Sequence, residues 1–68
     1  MNKKWCIKDV ETNKILTKEN GEIIFRSPEE LNRQFELVEQ FTDNDKAYDY
    51  IVKNNLQNKC FAIPVGWI

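Results

Sequence analysis

Residues 60–68 read CFAIPVGWI, and their side chains sort into two classes with a period of two. Phe61, Ile63, Val65 and Trp67 are large and apolar, whereas Cys60, Ala62, Pro64 and Gly66 between them are small. Successive side chains of a strand point to opposite faces, so the pattern predicts a strand with a bulky ridge turned into a core and a flat face open to close approach. Pro64 has no amide hydrogen for a ladder, which places this strand at a sheet edge or at a bulge. The remaining residues must supply the sheet that it joins.

They supply it first as a meander. Residues 5–10 (WCIKDV) alternate weakly and read as a strand, residues 14–18 (KILTK) as a second, and residues 23–26 (IIFR) as a third. Asn20-Gly21 between the last two accepts positive φ at both central positions of a type I′ turn, so the flanking strands should pair tightly.

Ser27-Pro28-Glu29-Glu30 then writes a helix start: a hydroxyl cap, a proline suited to the first helical position, and a glutamate that completes a capping box. The end of that helix is ambiguous, because Leu31, Phe35 and Val38 fit a helical face while Phe35, Leu37, Glu39 and Phe41 fit a strand. The reading adopted is a helix over 28–34 followed by a strand over 36–41, with one helix over 28–41 as the alternative. A second helix starts at Thr42 with Asp45 as its acidic third position, and Ala47, Tyr48, Ile51, Val52 and Leu56 share the spacing of one buried face. Asn54, Asn55 and Asn58 tolerate the left-handed conformation that ends it. The predicted fold is a single α+β domain over 1–68, in the order β-β-β-α-β-α-β, with an antiparallel or mixed sheet and both helices on one face.

Composition narrows the function classes. At 68 residues, 41% of them hydrophobic and 31% charged, the chain suits one small globular domain of marginal stability. No apolar stretch reaches signal-peptide or membrane-spanning length, so the expected compartment is the cytoplasm, where Cys6 and Cys60 stay as thiols. With no histidine, the usual general base and commonest metal ligand is missing. Asp43, Asn44 and Asp45 come nearest to a calcium loop but lack its turn glycine and distal glutamate. Neither glycine lies in a phosphate-binding pattern. No enzyme activity, cofactor or metal is expected.

The net charge of −1 gives no global field for nucleic acid or membrane. Its distribution is uneven, since Glu29, Glu30, Glu36, Glu39, Asp43, Asp45 and Asp49 crowd the middle of the chain against Arg33 and Lys46. The expected function is therefore recognition by surface: a protein-interaction module that docks on a larger protein as an inhibitor or regulator. Trp5, Trp67 and Phe61 are its candidate apolar contacts, and the open edge of the tail strand its candidate pairing site. Small size and abundant Asn, Lys and Ile fit an AT-rich phage or mobile element.

Two alternatives stand beside this. In one, Glu29, Glu36 and Asp43 belong to an acidic helix surface that acts as a decoy in a partner's nucleic-acid site, or the lysines of the meander contact nucleic acid weakly and directly. In the other, the flat face of the tail packs on a copy of itself to give a homodimer.

Overall fold

A computed structural model describes residues 4–32 and 35–68. It contains strands β1 (Trp5–Asp9), β2 (Ile15–Glu19) and β3 (Glu22–Arg26), helices α1 (Pro28–Leu31) and α2 (Asn44–Lys53), and strand β4 (Cys60–Pro64). The sheet is antiparallel in the order β3-β2-β1-β4. The fold is α+β, and the tail strand lies at an edge as Pro64 requires.

Local chemistry accounts for most of the element ends. Asn20 and Gly21 have φ of 53° and 79°, so Glu19 and Glu22 pair directly across a two-residue turn. Between β1 and β2 the Asp9 carboxylate accepts from the amides of Glu11 (2.9 Å) and Thr12 (3.0 Å), and Asn13 takes the left-handed position that closes the turn. Ser27 and Glu30 form the complete capping box of α1, and Asn32, left-handed at φ 48°, ends that helix. The expected continuation to 34 falls partly outside the described residues. The cap of α2 is Asp43 and not Thr42: its carboxylate accepts from the Lys46 amide at 2.8 Å.

Residues 36–41 differ from the strand expected there. A 3-10 turn, Phe35–Leu37, leads into two isolated antiparallel bridges, Thr17 to Val38 and Trp5 to Phe41. Registers explain why. β1 and β2 pair at Lys8 and Ile15, with Asp9 N–H donating to the Lys14 carbonyl at 2.8 Å. Beyond that point Trp5 exchanges both of its backbone bonds with Phe41 at 2.8 Å, and Leu16 C=O accepts from Glu39 N–H at 3.2 Å. Residues 38–41 are thus a wedge between two splayed strands, bonded to each.

The helices lie on opposite faces of the sheet, not on one. Cys6, Ile15 and Ile63 form a buried cluster with Leu31 and Val38, while Ile7, Leu16 and Cys60 form another with Ala47 and Ile51. Cys6 and Ile7 are consecutive in β1, so their side chains point to opposite sides. The α1 layer therefore covers one face and α2 the other. Both classes of tail residue find a core: Ile63 is buried under α1, and Cys60 under α2. The strand stops at Pro64, and a second 3-10 turn, Val65–Trp67, takes Trp67 off the expected ridge.

Candidate functional site

The residues singled out from the sequence are dispersed. Trp5 is half-buried against the α2-side cluster, and Phe61 is half-buried on the other face. Glu29 is exposed in α1 and Glu36 in the 3-10 turn that follows, whereas Asp43 caps α2 on the opposite layer. The acidic middle of the sequence is therefore divided, with Glu29 in α1 on one side of the sheet and Asp43 at the start of α2 on the other. Glu29 and Glu30 sit in the first turn of α1 and Asp45 in that of α2, where acids favour the positive helix end.

Trp67 is the most exposed of the large apolar residues described, with 75% of its surface open. The turn that carries it is held at both ends. Val65 N–H donates to the Lys4 carbonyl at 2.8 Å, Ile68 N–H donates to the Val65 carbonyl at 3.1 Å, and both side chains pack against the Leu31–Val38 cluster. An indole is thus presented to solvent from an anchored backbone.

Tyr48 and Val52 were expected in the core and are exposed. Ala47 and Ile51 carry the buried stripe of α2, and at 100° per residue Tyr50 and Tyr48 flank it on opposite sides. Tyr50 stacks at a tilt on Phe41, with ring centroids 5.3 Å apart, which fixes its side toward the wedge. Tyr48 and Val52 consequently lie on the side of the helix away from Phe41, open to solvent. Cys60 and Ala62 of the tail's flat face lie beneath α2.

The two sheet edges offer different backbone chemistry. Just beyond the ends of β4, Val65 N–H donates to the Lys4 carbonyl and the Lys59 carbonyl accepts from Val10 N–H, so by alternation Cys60, Ala62 and Pro64 turn their backbone groups outward. Pro64 has no N–H, and the Cys60 N–H is donated to the Leu56 carbonyl at 2.8 Å. Ala62 alone keeps an outward donor on that strand. On β3 the tight turn makes Glu22, Ile24 and Arg26 the residues bonded to β2, which leaves Ile23 and Phe25 with both N–H and C=O outward. Both β3 and β4 are sheet edges, and β3 is the one with more outward donors. Of the apolar run Ile23-Ile24-Phe25 on this strand, Ile23 is exposed and Phe25 packs against the α2-side cluster.

Burial pushes the Cys6 thiol up to about 11, against the pull of the Lys8 ammonium. Burial raises the Cys60 thiol as well, helped by Asp9. Both are buried, free and protonated at neutral pH, a poor state for a nucleophile. They sit on opposite faces of the sheet. Among the described residues no group of three or more His, Cys, Asp or Glu is arranged to hold a metal, and no helix is long and apolar enough to cross a membrane. Comparison with known proteins finds no matching family model, no similar curated protein and no similar solved structure.

Proposed function

We propose that this chain is a non-enzymatic protein-interaction module of the cytoplasm, docking on a larger protein as an inhibitor or regulator with Trp67 as its anchor. The observation that carries this reading is the exposed indole on a turn pinned by Lys4, Val65 and Ile68. Tryptophan is among the residues that contribute most at protein interfaces, and one held in place before binding loses little conformational freedom on contact. Glu29 and Asp43 lie on the two sides of the sheet, so this reading rests on the indole and not on an acidic surface.

The test is capture from the native host with tagged wild type and with Trp67→Ala, each checked for an unchanged melting temperature. A partner held by the wild type at high salt and lost from Trp67→Ala supports an apolar anchor. The same set of proteins on both baits refutes it, and a partner released by moderate salt favours the acidic decoy.

A further inference from the structure

The geometry points to β3 as a self-pairing edge: we infer that it joins β3 of a second copy of this chain, antiparallel, about a two-fold axis through Ile24. The outward backbone groups belong to Ile23 and Phe25. An antiparallel partner must match outward residue to outward residue. Pairing Ile23 with Phe25 of the second copy, and Phe25 with its Ile23, engages all of those donors and acceptors.

This register is the one in which the side chains also agree. Ile23 meets Phe25 on the α2 face, and Ile24 meets its own copy on the other. Glu22 falls opposite Arg26 at both ends of the strand. Shifting the axis to Ile23 sets Glu22 against Ile24, and shifting it to Phe25 sets Arg26 against Ile24 and runs Glu22 into Pro28, where α1 begins. A parallel pairing of the two β3 edges turns one copy over, so that Glu22 of the two copies points to opposite faces and neither meets Arg26. Opposite charges and apolar pairs directly across strands are favourable, and like charges are not.

Within one copy, Glu22 lies directly across from Glu19, a like-charge pair that the hairpin itself does not need. Arg26 binds Glu19, with Nη2 donating to Oε1 at 3.0 Å, and its Nη1 lies 3.6 Å from Glu30 Oε2. Among the described residues no cation pairs with Glu22, and the second copy brings one opposite it. A five-residue edge makes a small interface, so the dimer is reversible and depends on concentration.

The experiment is sedimentation equilibrium of the full chain over a wide concentration range, paired with residue-resolved hydrogen exchange. The expected result is a monomer–dimer equilibrium in which the Ile23 and Phe25 amides slow as concentration rises while the Ala62 amide does not. Glu22→Arg should weaken dimerisation about tenfold or more, because the contact occurs twice. The same substitution places Arg opposite Glu19, so the monomer should melt no lower than the wild type. Ile23→Lys, at an exposed position, gives a second variant that should dissociate the dimer. A chain that stays monomeric with unchanged Ile23 and Phe25 exchange overturns the inference, as does a dimer that survives Glu22→Arg or is protected at Ala62.

Discussion

The two faces of the sheet are covered by different means. Over one, α2 spans ten residues and buries Ala47 and Ile51 against Ile7, Leu16 and Cys60, with Trp5, Phe25, Phe41 and Tyr50 around them. Over the other, α1 has four residues with Leu31 as its buried side chain, and a 3-10 turn and the wedge bring in Val38. The first layer is a helix whose own periodicity supplies a face. The second is held by backbone bonds from Trp5 and Leu16 to residues that form no regular element. Cover of a sheet therefore does not require a long amphipathic helix, provided that the strands splay enough to accept a third segment.

The sharpest way to break this contrast is to remove one buried side chain from each layer. Leu31→Ala and Ile51→Ala should each lose about 2–5 kcal/mol in urea unfolding. Leu31→Ala should be the worse, because α1 has no second buried residue while Ile51 is backed by Ala47. If Leu31→Ala proved mild, the α1 layer would be an ornament on a domain made by α2. Next in size are the caps. Ser27→Ala and Asp43→Ala should each cost about 1 kcal/mol, with Ser27→Ala the larger since it also releases Glu30 from the capping box.

Acid should sharpen the comparison further. The Arg26 guanidinium and the Thr17 hydroxyl hold Glu19 below its ordinary 4.5, and the Ser27 amide and hydroxyl do the same for Glu30, both on the α1 side. A carboxylate depressed in the folded state stabilises above its unfolded pKa, and that contribution disappears as pH falls through the folded one. Hydrogen exchange below pH 4.5 should therefore accelerate in α1 before α2. The smallest effect belongs to Lys53→Ala, which removes the exposed 3.0 Å pair with Asp49 and should change stability by a few tenths of a kcal/mol at most.

What could be read from the residues follows the same division. The Asn20-Gly21 turn, the Ser27 to Glu30 capping box, a helix after residue 42 and an edge strand marked by Pro64 are all local chemistry, and each is present. The side on which a helix packs is not local. The tail carried the clue in having two orderly faces: Cys60 and Ala62 are small because α2 lies on them, not because the surface is flat. Tyr48 and Val52 share the helical spacing of the apolar stripe but lie to one side of Ala47 and Ile51, the two residues of α2 that are buried. The strand expected over 36–41 shrank to two bridges because its partners offer only the gap where β1 and β2 part. Trp67 broke the period of two because the ladder ends at Pro64 and a 3-10 turn follows it.

Cys6 and Cys60 give this molecule a thiol in each of its two half-cores. Neither can be alkylated while its layer is shut, and neither can reach the other through the sheet. Timed labelling of the pair would thus act as two stopclocks, one started by the lifting of the α1 cover and one by that of α2, and would show whether the halves open together or in turn.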